Sequence, residues 1–272
     1  MDAVWSFLWY YVRILFLTVG VFVMCGLAVA GCEALVRRLL GGGFGYRLVI
    51  ATSLVGTPVH ETGHALMCLL FGHRISRMVL WQPRSPDGVL GYVTHTYRKR
   101  NPYQMLGNLF IGIGPIFSGL GMILLLLFLC YPDALHTYLA QTSSAVAAGE
   151  GVASLGARGW RLFCALFTEN SVHPALRVLT VTVILCACLH INLSVSDIRG
   201  SLGAFPLYLL LVFLFALPTF LFGEALCAEI LYGLGVYTAV AASLFFIVFV
   251  FSAVLVGGAF VFFCLRKLFA RR

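Results

Sequence analysis

The sequence predicts an all-α polytopic membrane protein of about six transmembrane helices, with a small membrane-associated β-hairpin. Three observations predict it. Of 272 residues, 61% are hydrophobic and only 10% are charged, and the mean hydropathy is +0.99. A soluble domain carries roughly 25% charged residues, which it needs to cover its core with a polar surface. Second, the apolar residues gather in runs of about the 20 residues that a spanning helix requires. Third, the basic residues behind the net charge of +8 sit at the ends of those runs, where they act as topology determinants. Together these exclude a water-soluble globule, a disordered chain and a disulfide-stapled secreted domain. They also argue against nucleic acid as the partner of the positive charge; the expected surroundings are a lipid bilayer.

The six runs cover residues 5–30, 48–71, 104–130, 176–197, 205–222 and 234–265. Arg13 lies inside the first and is expected to snorkel or to face protein. With both termini on one side, that side carries eleven Lys and Arg against six on the other, so both termini are expected in the cytoplasm. Residues 75–81 and 89–97 are rich in β-branched and aromatic residues, and Pro83-Arg84-Ser85-Pro86-Asp87-Gly88 between them is turn chemistry. They predict a cytoplasmic-side hairpin over 75–97. Residues 131–175 are mixed, with one or two short amphipathic pieces such as 160–167, and are expected outside. No internal repeat or linker divides the chain, so 1–272 reads as a single membrane-embedded domain with a core over about 47–200.

Nine cysteines are present. Cys25, Cys68, Cys130, Cys186, Cys188 and Cys264 fall in or at the ends of apolar runs without CxxC spacing, and read as small apolar packing residues. Glu224 and Glu229 flank an outer loop and read as solvated. His73, His95, His136 and His173 read as loop surface groups.

The second run contains His60-Glu61-Thr62-Gly63-His64. On a helix, residues four apart lie on one face, one turn above the other, so two imidazoles at that spacing can hold one zinc ion. Glu61 lies about 100° round the helix from His60. From there it can reach a water at the metal without being a ligand. A carboxylate in an apolar helix costs about 2.5–3.5 kcal/mol on insertion scales, and a metal is the partner this cluster suggests. Catalytic zinc takes three protein ligands and keeps one position open. Asp197, at the inner end of the fourth run, lies at a compatible depth to be the third. His190, two turns before it, is an alternative ligand, a supporting donor or a transition-state stabiliser. Asn192 could donate a hydrogen bond to a developing oxyanion; either residue could equally join helices. Gly56 and Pro58 precede the zinc turn and could open the helix to water.

The buried His60-Glu61-Thr62-Gly63-His64-Ala65-Leu66 resembles the site-2 protease family, the M50-like intramembrane zinc metalloproteases. Gly114-Pro115 in the third run is similar to the family's glycine-proline element, and Asp197 falls where the family has its third zinc ligand. The matches cover about residues 50–200. The sequence departs from the pattern in three places. Ser118 stands where the family often has asparagine. No proline separates Asn192 from Asp197. The glycine comes at Gly200 and not directly after Asp197. The resemblance is thus to a divergent member.

That resemblance implies a zinc-dependent intramembrane endopeptidase acting on a membrane protein substrate with a transmembrane helix, as in regulated intramembrane proteolysis. His60, His64 and Asp197 would hold Zn2+ and Glu61 would be the catalytic base. Recognition would fall to the membrane domain or to a regulatory membrane partner. An exposed edge of the 75–97 hairpin could take an unwound substrate by strand addition, or the hairpin could shield the site. The rival reading is a metal-ion transporter or a metal-binding membrane protein without hydrolytic activity.

Overall fold

The computed structural model describes residues 2–85 and 88–269. It is helical nearly throughout, in the order α1 (Asp2–Leu15), α2 (Val21–Leu70), β1 (Arg74–Val79), β2 (Tyr92–Thr96), α3 (Pro102–Cys130), α4 (Pro132–Ala147), α5 (Val152–Thr168), α6 (Pro174–Cys188), α7 (Val195–Leu202), α8 (Phe205–Phe222) and α9 (Glu224–Phe269). A π-helical stretch, Phe16–Gly20, joins α1 to α2.

The long α2 is two helices in one run. At Gly41 the backbone takes φ 73° and ψ 170°, a conformation essentially open only to glycine, and the chain changes direction there. Prolines mark helix starts: Pro102, Pro132, Pro174 and Pro206 all occupy the first turn of their helices, where a missing N–H costs nothing. Asn101 completes the start of α3 by accepting from the N–H groups of Tyr103 and Gln104.

Among the described residues, four helices are long and apolar enough to cross a membrane: Ala3–Gly41, Pro102–Cys130, Phe205–Phe222 and Glu224–Leu268. This is the architecture of an all-α membrane protein. Large apolar side chains such as Leu125, Phe128, Leu214, Leu221, Phe222, Val254 and Val261 face outward, far more apolar surface than water would tolerate. The six expected runs are not matched one for one. The second half of α2 is helical, but its Thr, His and Glu residues keep it from counting as an apolar span. Residues 176–197 are not one helix: α6 stops at Cys188, residues 189–194 are unwound, and α7 starts at Val195. Ser194 and Asp197 begin α7 with a capping box, and the polar residues before it take partners on other helices.

The hairpin is present. β1 and β2 pair antiparallel, with Val79 opposite Tyr92 and Ile75 opposite His95. Of its turn, Pro86 and Asp87 lie outside the described residues. Residues 131–175 form two helices, α4 and α5, more than the short pieces expected.

One core holds the assembly. Val29 and Val36 of α2, Ile116, Ile123 and Leu127 of α3, Ile184 of α6, Leu189 and Ile191 of the unwound stretch and Phe245, Ile247 and Val248 of α9 are all fully buried and belong to one cluster. A smaller cluster of Tyr10, Ile14 and Ala216 joins α1 to α8. The core places the first half of α2, α3 and the unwound stretch side by side.

Candidate metal centre

The centre begins with a close helix crossing. A side chain at Gly63 of α2 would run into the Gly114 carbonyl and Ser118 Oγ of α3, and one at Gly114 would run into Gly63. Two glycines therefore let the helices touch backbone to backbone, and Ser118 Oγ donates across the seam to the Val59 carbonyl at 2.7 Å.

Proline then supplies an acceptor. Pro115 has no N–H, so the carbonyl four residues before it, that of Ile111, has no helical partner. His64 Nδ1–H takes it, at 2.7 Å. The unwound stretch supplies a second acceptor: the His190 carbonyl receives His60 Nδ1–H at 2.9 Å. Each Nδ1 is committed as a donor, which leaves each Nε2 as a lone pair. These two lone pairs face one another at 3.3 Å.

Asp197 faces both. Its Oδ1 lies 3.3 Å from His64 Nε2 and its Oδ2 lies 3.8 Å from His60 Nε2. The carboxylate is aimed by the capping box at the start of α7, where Oδ2 accepts from Ser194 N–H at 2.9 Å and Asp197 N–H donates to Ser194 Oγ at 3.2 Å. Donors on a tetrahedral zinc ion stand about 3.3–3.4 Å apart, given metal–ligand distances near 2.0–2.1 Å. Two of the three separations here match and the third is somewhat longer. Electron pairs gathered this closely repel unless a cation lies among them, so the donor set fits a metal ion.

Glu61 is buried and lines the same cavity, of about 510 Å³, with His60, His64 and Asp197. Among the described residues it has no hydrogen-bond partner, whereas the other three are each fixed by one. The far wall is the hairpin, through Val89, Gly91, Tyr92, Val93 and His95. Gly91 stacks directly over the glutamate: a side chain there would run into Glu61 Cγ and Thr57 Cγ2. Trp81 anchors the hairpin to α2 by donating from Nε1 to Ser53 Oγ at 3.0 Å.

The structure thus brings His60, Glu61, His64 and Asp197 together. It does not bring the His190 ring or the Asn192 amide to them. His190 Nε2 pairs with Thr52 Oγ1 at 3.1 Å, with its ring lodged against Gly56. Its contribution to the centre is its carbonyl. Asn192 Nδ2 donates to Glu33 Oε2 at 2.5 Å and to the Leu189 carbonyl at 2.8 Å, which ties the unwound stretch to the first half of α2. Glu33 also holds Arg37. The helix runs unbroken through Pro58, with Gly41 the one non-helical position recorded inside α2. Gly56 provides room for the His190 ring.

Two further readings need correction. His73 is no surface group: it is 4% exposed, donates from Nε2 to the Gln104 carbonyl at 2.7 Å, and meets His95 Nδ1 to Nδ1 at 2.9 Å. Burial, then the neighbouring His73 and His64, hold the His95 imidazole below its ordinary pKa. His136 and His173 are exposed, as are Glu224 and Glu229, and His173 caps α6.

No family model matches the chain, and no curated protein or solved structure matches it.

Proposed function

We propose that the chain is a zinc-dependent intramembrane endopeptidase, a divergent relative of the site-2 proteases, hydrolysing peptide bonds within or near transmembrane segments of membrane proteins. One observation carries the reading. Two imidazole lone pairs from one helical turn and a carboxylate from a separate helix converge beside a glutamate that is hydrogen-bonded to none of the described residues. Binding or moving a metal needs only the ligands. The free carboxylate beside them is what hydrolysis adds.

Two imidazoles and one carboxylate are a donor set of catalytic zinc, with a fourth position left open. When bound, the ion would polarise the scissile carbonyl and draw the pKa of water at the site towards about 7. His60, His64 and Asp197 would hold the ion and leave that fourth position open. Glu61 takes a proton from the attacking water and delivers it to the leaving amine, because its carboxylate lines the cavity beside the three ligands and is hydrogen-bonded to none of the described residues. A helical substrate must unwind before its peptide bonds are reachable. Among the described residues β2 pairs with β1 on one side only, and its residues line the cavity, so its other edge can receive the unwound segment as an added strand.

In this reading the bilayer is crossed six times, with the second half of α2 and the segment from α6 into α7 as the two polar crossings shielded by the other four. The termini and hairpin lie on the cytoplasmic side, and residues 131–175 on the other.

The test uses the purified full chain reconstituted with a transmembrane substrate. Wild type is expected to cleave, and a chelator to stop it. Glu61→Gln is expected to keep its metal and to lose about 10²–10⁴-fold in rate. Undiminished cleavage by Glu61→Gln would overturn the assigned base. Absence of cleavage together with zinc flux into the proteoliposomes would replace the protease by a transporter.

A further inference from the structure

We infer that Cys68, His73 and His95 form a second metal site, for a divalent ion of the zinc class, which clips the hairpin to the end of α2. The ligand-capable atoms of these three side chains all lie within 4.8 Å of one another. The site shares no ligand with the centre formed by His60, His64 and Asp197 and does not depend on how that centre is read.

Three different pieces of backbone are folded to make this group. Cys68 is one turn beyond His64 on the same face of α2, about 6 Å further along the axis, and is fully buried. The helix then ends in a Schellman motif. Gly72, at φ 68°, donates from N–H to the Leu69 carbonyl, and His73 N–H reaches back to the Cys68 carbonyl at 2.8 Å. That reversal folds His73 back over the turn that carries Cys68. β2 brings His95 to the same point, opposite Ile75 in the hairpin register.

The donor chemistry is that of a metal site. His73 spends its Nε2–H on the Gln104 carbonyl, so its Nδ1 is a lone pair, and that lone pair points at His95. The ring is held flat by Tyr97, stacked at 5.0 Å and 16°, and is thus oriented as supported imidazole ligands are. A thiol beside two imidazoles is the soft-to-borderline set that selects zinc-class ions over calcium or magnesium. The alternative is a bare hydrogen bond between two histidines beside an idle cysteine.

An ion here would have a consequence for the cavity. His95 belongs both to this group and to the cavity wall. Fixing it would hold β2, and with it Gly91 and Tyr92, against the second half of α2.

Cobalt separates the two sites, because only this one contains sulfur. The purified full chain, stripped with a chelator and titrated with Co2+, is expected to develop a thiolate-to-cobalt charge-transfer band in the near ultraviolet. The band should be kept in His60→Ala and lost in Cys68→Ser. It should also be lost in His95→Gln, a change on the hairpin that leaves the helix packing intact, and each of these two variants should bind one equivalent fewer of cobalt. No band from the wild type, or a band of full strength in Cys68→Ser or His95→Gln, would overturn the site. A band that vanished in His60→Ala would place the thiolate in the other centre and overturn it equally.

Discussion

His64 is oriented by Pro115. The imidazole Nδ1–H lies 2.7 Å from the Ile111 carbonyl, and that carbonyl is available because the residue four places on has no N–H to offer it. A proline in α3 thus sets the tautomer of a histidine in α2 and turns its Nε2 lone pair towards His60 and Asp197. The glycine beside it, Gly114, permits the approach that makes the bond.

Pro115→Ala tests this link. The restored N–H would compete for the Ile111 carbonyl, and His64 would lose its fixed orientation while remaining present. Loss of such a supporting hydrogen bond costs about 10–100-fold in metal affinity. That drop is the expected result in a competition titration against a chelator. Thermal unfolding should not move to lower temperature, since an interior proline is replaced by a good helix former. Unchanged metal affinity would show that His64 does not need this carbonyl.

Gly91→Val tests the hairpin wall. Gly91 has no left-handed φ, so its backbone accepts valine. The space does not, because Glu61 and Thr57 stand directly beneath it. The valine is expected to displace the Glu61 carboxylate and lower the cleavage rate at least tenfold, with metal content at the His60–His64–Asp197 centre unchanged. Loss of that metal would show instead that the hairpin supports the ligands. An unaffected rate would show that Glu61 does not depend on the hairpin's position.

The helical spacing of His60, Glu61 and His64 was legible because it needs only the geometry of one turn. The hairpin was legible from its β-branched runs and turn residues. Asp197 could be placed near the histidines by depth, but its actual setting was not inferred, although its signal is present: Ser194-x-x-Asp197 is a capping-box spacing and marks a helix start inside the run expected to span. Hydropathy hides such a break, since Leu189, Ile191 and Leu193 keep the average high. The roles of His190 and Asn192 depend on tertiary partners, Thr52 and Glu33, at sequence separations of 138 and 159, which no local pattern encodes. Cys68 is different. It continues the stripe of His60 and His64 by four more residues, a spacing that its apolar surroundings leave open to packing as well as to a ligand.

Asp197→Asn separates the two roles of this carboxylate. As the third residue of α7 it accepts from Ser194 N–H, and an asparagine oxygen can accept the same bond, so the cap should survive with a cost of no more than about 1 kcal/mol. As a metal ligand it supplies the one carboxylate of the donor set, and an amide cannot replace its charge. The expected outcome is near-wild-type thermal stability of the metal-free chain, together with loss of one metal equivalent and of cleavage. Asp197→Ala removes both functions and should lower stability as well as metal content. If Asp197→Asn kept its full metal content at neutral pH, the carboxylate would be a helix cap alone, and His60 and His64 would need another third donor.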